Sequence, residues 1–276
     1  MSSSLDAHLV PLATLDEARR AHFGRLGFAP ELYLELMLAG GAACRLAWQG
    51  QDAGYCLLGG DRCLLELELA SRDWIAGPEI LREAVRQLGV TQVRCFSFDS
   101  LLLGLCLELG FAAAVEGCIC RELLDVEGPV LPLGLVFRAA RSTDGPAILP
   151  HRHGVFDDDG QVATWIDRGW VVVLEGPAGW IGMGLESPVW PHGPERDVGV
   201  LVHPDRRRQG HGERILRYLK RRCLDRGLTP TGGCAVENLA SRRALGRAGF
   251  ALQHRLVRFS CPVASSIAPS TSGKSL

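Results

Sequence analysis

One segment constrains this chain more than any other. Residues 197 to 212 read Asp-Val-Gly-Val-Leu-Val-His-Pro-Asp-Arg-Arg-Arg-Gln-Gly-His-Gly. An apolar strand ends at Pro204, a basic turn follows, and an amphipathic helix begins. Glycine at 210 and 212 lets the backbone approach a ligand closely, because no Cβ intervenes. A turn that opens a helix also directs unpaired N–H groups and the positive end of the helix dipole outward. Arg206, Arg207 and Arg208 add positive charge, so the expected ligand is a phosphate, and a pyrophosphate in particular. Two other phosphate loops do not fit: Gly-x-x-x-x-Gly-Lys-Ser/Thr is absent, and so is Gly-x-Gly-x-x-Gly after a strand.

Arg207-Arg208-Gln209-Gly210-His211-Gly212 resembles the acyl-CoA loop of the GNAT acyltransferase superfamily, Arg/Gln-x-x-Gly-x-Gly/Ala, and fits it throughout. Two further matches stand at the right distance. Asn238-Leu239-Ala240-Ser241 leads to Ala248-Gly249-Phe250, as in that family's last helix. The segment Cys223-Leu224-Asp225-Arg226-Gly227-Leu228-Thr229-Pro230 is similar to one in the zwittermicin-resistance branch. The likeness spans about residues 135 to 260. It implies an α/β fold built on a mixed, mostly antiparallel sheet flanked by helices, with acetyl-CoA or another acyl-CoA as co-substrate.

Two such units are expected in tandem. In the second, strands at 170–174 and 180–185 form a hairpin around Glu175-Gly176-Pro177-Ala178-Gly179. Strand 198–202, the basic loop and a helix follow, the helix with its apolar stripe at Ile215, Leu216, Leu219 and Cys223. A short strand at 234–236, the last helix and a strand over 252–259 complete it. The first unit repeats this order more weakly: a hairpin of 43–48 with 54–58, a strand over 64–69, and a helix marked by Ile80, Leu81, Ala84, Val85 and Leu88. A strand at 93–96 and a leucine-rich helix ending at Leu109-Gly110-Phe111 close the copy. Ser71-Arg72-Asp73-Trp74-Ile75-Ala76-Gly77-Pro78 stands where the loop would be, with one glycine and a proline that has no N–H. The first unit is therefore expected to be a degenerate copy, with an unrelated α/β domain as the plain alternative. The expected division is 1–126 for this domain, 127–134 for a Pro/Gly linker, 135–262 for the acyl-CoA-binding domain, and 263–276 for a disordered Ser/Thr/Pro-rich tail.

The resemblance implies that the backbone of Val200, Leu201 and Val202 pairs with the pantetheine arm. The amides of Arg208, Gln209, Gly210, His211 and Gly212, with Arg207 nearby, hold the pyrophosphate. Asn238 is expected to meet the pantetheine or cysteamine end, and is equally well suited to cap its helix. Acyl transfer to an amine needs a proton acceptor. Asp197 stands at a strand position that is often acidic in the related branch, and alternation places Asp197, Gly199, Leu201 and His203 on one face. Asp197, His203 and Glu186 are thus the candidate bases, each with a plain alternative as a solvated strand-end residue. The family's usual tyrosine acid is replaced by Leu245, which leaves the acid unassigned. His151, Arg152 and His153 with Asp157, Asp158 and Asp159 form a polar loop where the family builds acceptor contacts. Their spacing matches no metal-ligand pattern, and a metal is not expected there or at Cys118 and Cys120.

Composition narrows the remaining classes. A formal charge of −1 over 276 residues provides no field for nucleic acid or anionic lipid. No apolar run is long enough to span a membrane, and Met-Ser-Ser-Ser-Leu-Asp lacks the features of a signal peptide. Ten cysteines without a Cys-x-x-Cys pair read as core residues of a reducing, cytoplasmic compartment. The expected activity is N-acyl transfer to a primary amine of a small molecule or peptide. Transfer of a long fatty acyl chain and a non-catalytic acyl-CoA sensor are the alternatives.

Overall fold

The computed structural model describes residues 4–152, 155–156, 158–191 and 193–262. In chain order its strands and α-helices are β1 (Leu5–Val10), α1 (Asp16–Leu26), α2 (Leu32–Met37), β2 (Ala42–Trp48), β3 (Gln51–Leu58), β4 (Cys63–Leu69), α3 (Gly77–Leu88), β5 (Gln92–Phe96), α4 (Ser100–Glu108), β6 (Ala112–Cys120) and β7 (Glu122–Leu123). They continue with β8 (Val136–Ala139), α5 (Gly145–Ile148), α6 (Asp159–Asp167), β9 (Val171–Gly176), β10 (Gly179–Pro188), β11 (Glu195–Val202), α7 (His211–Leu224), β12 (Thr229–Ala235), α8 (Leu239–Arg247), β13 (Phe250–Ala251) and β14 (His254–Ser260). The tail 263–276, expected to be disordered, lies outside the described residues.

The chain forms two compact units that do not follow its linear halves. Among the described residues, unit 1 comprises 4–28, 33–116 and 255–262, and unit 2 comprises 29–32 and those of 117–254. The segment 127–134, expected as a linker, therefore runs inside unit 2. The last strand of the sequence closes the sheet of unit 1, where β14 pairs antiparallel with β5 from Leu256↔Phe96 to Ser260↔Gln92. Unit 2 takes its own edge of β6 from the first half of the sequence, pairing Cys120 with Gly232 and Cys118 with Cys234.

In unit 1 the strand order is β1-β2-β3-β4-β5-β14. All pairs are antiparallel except β4–β5, which run parallel over two positions, Cys63↔Gln92 and Leu64↔Val93. The first hairpin turns on Gln49 and Gly50, both at positive φ (52° and 78°), between paired Trp48 and Gln51. Such a two-residue turn matches the twist of its strands, so the turn is tighter than the four residues expected from sequence. One sheet face packs Leu46, Leu67 and Leu69 against Ile80, Leu81, Ala84 and Val85 of α3. The predicted apolar stripe is thus the core face of that helix.

The opposite face of unit 1 holds a polar core that sequence reading did not foresee. Arg19 of α1, 5% exposed, donates from Nη2 to Glu66 at 2.9 Å and to Glu35 at 2.7 Å. Tyr55 donates its hydroxyl to the same Glu66, and His22 Nδ1 lies 2.6 Å from Glu68. Alternation on β4 puts Glu66 and Glu68 on one face, so α1 meets both with basic groups.

In unit 2 the order is β6-β12-β11-β10-β9-β8, again antiparallel except for one parallel pair, β11–β12. The β9–β10 hairpin closes on Pro177 and Ala178 between paired Gly176 and Gly179. One sheet face packs Val172, Leu174, Ile181 and Val198 against Ile215, Leu216 and Leu219 of α7. Glycine at 184 is required there, because a Cβ would stand 2.8 Å from both Ile215 and Leu219. The other face packs Val171, Met183, Leu185 and Leu201 under α5 and α6 through Ile148, Val162, Trp165 and Ile166.

Removing the cation of the unit 1 network leaves the buried Glu66 and the half-buried Glu35 without it. Arg19→Met is expected to lower unfolding free energy by about 3–5 kcal/mol, the cost of breaking a buried pair on one side. Urea unfolding checks this; a loss under about 1 kcal/mol would show that the network carries little of the fold.

Candidate active site

The site in unit 2 begins where two strands part. Strands β11 and β12 pair in parallel only at Glu195↔Thr229, Arg196↔Pro230 and Asp197↔Thr231. Beyond Asp197, β11 continues through Val202 with β10 alone, from Val198↔Glu186 to Val202↔Gly182. His203 donates its amide to Ile181 O at 2.9 Å, which turns the backbone groups of residues 199 and 201 toward β10 as well. Those of Val200 and Val202 face the open side. Leu201, expected to pair with a ligand through its backbone, instead joins β10 and buries its side chain beside Met183.

At the end of the opened strand stands the basic loop. Arg208 (φ 61°) and Gly210 (φ 78°) adopt the left-handed conformation, and α7 starts at His211. The preceding turn uses the amides of Asp205, Arg206 and Arg207, which bond to His203 Nδ1, His203 O and Pro204 O. From Arg208 to Glu213 no backbone N–H finds an acceptor among the described residues. Six successive amides at the head of a 14-residue helix form an anion cradle by dipole and by hydrogen bonding. Arg207 Nε donates to Val202 O at 3.2 Å, and Arg214 Nη1 to Gln209 O at 2.7 Å, which fixes two guanidinium groups at the cradle. His211 is 8% exposed, and burial, then Arg214 and Arg206, lowers its pKa. Its Nε2 lies 3.4 Å from Gln209 Oε1.

Asn238 caps α8, accepting from the Ser241 amide at 3.0 Å through Oδ1. Leu245 is buried at 2% exposure, and Ala244 beside it lies 3.8 Å from where a Cβ on Gly212 would be. The small side chain leaves room beside the head of α7. Unit 1 differs at each equivalent place. Asp99 caps α4 as Asn238 caps α8, but six residues on stands Leu105, whose methyl lies 2.8 Å from a Cβ on Gly77 at the head of α3. Trp74 covers the end of β4, its indole donating to Leu69 O at 3.1 Å.

The three candidate bases fall in three places. Asp197 pairs across β10 with Ser187 and lies on the α5–α6 face. Its carboxylate has no hydrogen bond or ion pair among the described residues. Burial above all, then the nearby Glu31 charge, pushes its carboxyl up to about 8, against the pull of Arg121. Glu186 lies on the other face, pointing at α7, where Arg226 donates to it at 2.7 Å and Arg222 stands at 3.4 Å. That pairing, and its place behind the sheet, separate it from Asp197. His203 shares the face of Asp197, but six residues along a strand is about 20 Å. Its ring packs on His151 and Trp180 at 4.9 and 5.5 Å between centroids. The histidine belongs to the loop end of the strand and Asp197 to its opening.

Two residues that sequence reading missed stand beside Asp197. Arg121, 2% exposed at its side chain, pairs with Glu31 at 2.7 Å and also donates to the carbonyls of Cys120, Ala29 and Pro30. A charged residue directly after the apolar run Gly117-Cys118-Ile119-Cys120 was the available signal for Arg121; Glu31 offered none. The polar loop divides its roles: Asp158 caps α6 at the Gln161 amide, and Arg152 pairs with Asp159 at 2.6 Å. His153 and Asp157 lie outside the described residues. Among the described residues no three His, Cys, Asp or Glu side chains group as a metal site. The ten cysteines are all free, and Cys118 and Cys120 are buried on β6. No helix among the described residues is long and apolar enough to cross a membrane.

Comparison with known families agrees with this geometry. Residues 142–250 match the acetyltransferase (GNAT) family model, and residues 12–121 match a second acetyltransferase (GNAT) domain model. The chain carries two GNAT domains in tandem. Among solved structures, it is similar to a GNAT-family acetyltransferase from Colwellia psychrerythraea at 16% identity and TM-score 0.79, covering 92% of this chain and 99% of that one. A GCN5-related N-acetyltransferase from Sphaerobacter thermophilus aligns at 15% identity and TM-score 0.66, over 92% and 94% of the two chains. A tandem GNAT protein from the clavulanic acid biosynthesis pathway aligns at 13% identity and TM-score 0.56, over 94% and 98%. No curated protein matches the chain. These likenesses give the fold, and the family supports acyl transfer in general.

The Asp197 carboxyl makes stability depend on pH in a stated direction. Its folded value lies above the unfolded one, so between about pH 4 and 8 the folded chain keeps a proton that the unfolded chain has lost. Its contribution is complete below that window and is lost as pH rises through it. Asp197→Asn is expected to match wild-type thermal stability near pH 4 and to exceed it at pH 8 to 9. Identical curves at both ends would place the carboxyl in solvent.

Proposed function

We propose that this protein is an acyl-CoA-dependent N-acyltransferase whose catalytic half is unit 2. It transfers an acetyl or other acyl group to a primary amine of a small molecule or peptide. The observation that carries the reading is the row of unbonded amides from Arg208 to Glu213 at the end of an opened strand. A pyrophosphate in that cradle leaves Val200 and Val202 to pair with the pantetheine arm, whose thioester then reaches the parting of β11 and β12. The residues fit: glycine at 210 supplies the left-handed turn, and the small Ala244 leaves room beside Gly212 at the head of α7.

Starting from an ammonium group, the reaction forms a C–N bond and breaks a C–S bond; nitrogen gives up two protons, one of which ends on the departing sulfur while the other is released. Asp197 is placed at the opening, without a partner and with a raised affinity for protons, which suits a base that must deprotonate an ammonium group. Unit 2 has no tyrosine on α8, where Leu245 fills the position, so the thiolate departs without a tyrosine acid. Tyr218 is engaged elsewhere, stacked on Phe137 at 4.0 Å. Unit 1 offers no equivalent cradle, because Leu105 and Trp74 occupy its places. Nothing in the geometry favours a long acyl chain over a short one.

Three outcomes are expected. Calorimetric titration with acetyl-CoA gives one bound equivalent per chain, and a stoichiometry of two would restore a site to unit 1. Gly210→Val, which forces a β-branched residue to φ 78°, removes that binding while the fold persists. With acetyl-CoA and a panel of primary amines, thiol release separates an enzyme from a sensor. In that assay Asp197→Asn lowers turnover by roughly 10²–10⁴ without weakening acetyl-CoA binding; wild-type turnover from pH 6 to 9 would make Asp197 structural.

A further inference from the structure

Glu31 arrives in unit 2 from far away in sequence, on the four-residue segment 29–32. It is 7% exposed. Oε2 is clamped by Arg121 Nη2 at 2.7 Å, while Oε1 makes no hydrogen bond among the described residues. That free oxygen lies 2.8 Å from where a Cβ on Gly233 would stand. Gly233 and Thr231 are two residues apart on β12 and face one way. Thr231 is the residue paired with Asp197 at the last rung before the strands part. The free oxygen of Glu31 is thus one side-chain step, about 7 Å along the neighbouring strand, from the rung of Asp197.

The opposite strand face confirms the placement, since a Cβ on Gly232 would meet Leu245 and Val198 instead. Glycine at 233 is what gives the Glu31 carboxylate its seat. Arg121 holds it there through a guanidinium that also donates to three carbonyls, so neither partner is free to swing away. The charged groups that act on Asp197 are Glu31 and Arg121. Its cross-strand neighbour, Ser187, is buried with an unpartnered Oγ and does not titrate in this range.

We propose that Glu31 is a positioning residue of the unit 2 site: fixed by Arg121 over Gly233, it sets the proton affinity of Asp197 from the adjacent strand. A segment of the first GNAT copy's sequence thereby completes the acid–base machinery of the second. The inference rests on Asp197 being the proton acceptor. Burial favours the protonated form of Asp197, and Arg121 pulls against it toward the ionised, weakly basic form. The fixed Glu31 charge offsets that pull and leaves a carboxylate able to take a proton from an ammonium group.

The test needs no acceptor substrate. The full chain, carrying ¹³C-labelled aspartate side chains, is titrated by NMR, and the Asp197 signal is the one missing in Asp197→Asn. In Glu31→Gln its midpoint is expected to fall by about one to two pH units, the usual effect of removing an adjacent like charge. Glutamine still offers an acceptor to Arg121, whose other three bonds remain, so folding is retained. Gly233→Ala is the independent variant: the added methyl displaces the Glu31 oxygen while leaving both charges present, and the midpoint is expected to fall in the same direction. An unmoved midpoint in both folded variants overturns the role of Glu31. Wild-type turnover in Asp197→Asn overturns the base reading instead, so the two fail separately.

Discussion

The parting of β11 from β12 after three rungs is the constraint on which the rest of unit 2 depends. A paired sheet edge satisfies its own N–H and C=O groups and has nothing left for a ligand. Here the strand is held on one side by β10 and on the other only at its first residues. The edge that results ends at a left-handed Gly210 and the head of α7, so an opened strand and an anion cradle become continuous. Small residues keep that continuity, with Gly212 and Ala244 standing where the head of α7 comes near α8.

Unit 1 shows what the same architecture becomes when those positions are filled. Its parallel pair is shorter still, two rungs at Cys63 and Leu64. Yet the space beyond is closed by Leu105 against Gly77 and by the Trp74 indole over the Leu69 carbonyl. On the face where unit 2 carries Asp197, unit 1 carries Glu66 and Glu68, both already engaged by Arg19, Tyr55, His22 and Arg25. A carboxylate with charged and hydrogen-bonded partners is stabilised but no longer available as a base. In this copy the equivalent positions are used for packing.

Electrostatics in unit 2 is arranged with equal economy. Glu186 is buried at 4% exposure and paired with arginines of the α7 side. Glu31 is buried and paired with Arg121. Asp197 alone among these carboxylates has no such partner, and an unpartnered acid in a desolvated place binds protons strongly. The contrast among three acidic residues within one unit sets Asp197 apart as the one without a charged partner.

The local pattern determined much of this. The loop was legible because its requirements are local: glycines at fixed offsets, arginines in the turn, an apolar strand before and a 3.6-residue stripe after. Helices α3 and α7 and the hairpins were legible for the same reason, as their periodicity and turn residues are written within a few positions. Tertiary structure decided what depends on register and on distant partners. Alternation put Asp197 and His203 on one face, but only the strand's length separated them by about 20 Å. Pairing with β10, invisible in one strand's residues, turned the Leu201 backbone away from the opening and Glu186 to the α7 side. The units themselves were not linear, since β14 is used by unit 1 and residues 29–32 by unit 2. Glu31 and Arg121 meet across 90 residues, and no spacing rule reaches that far, because their encounter is fixed by strand pairing and desolvation rather than by neighbours in the chain.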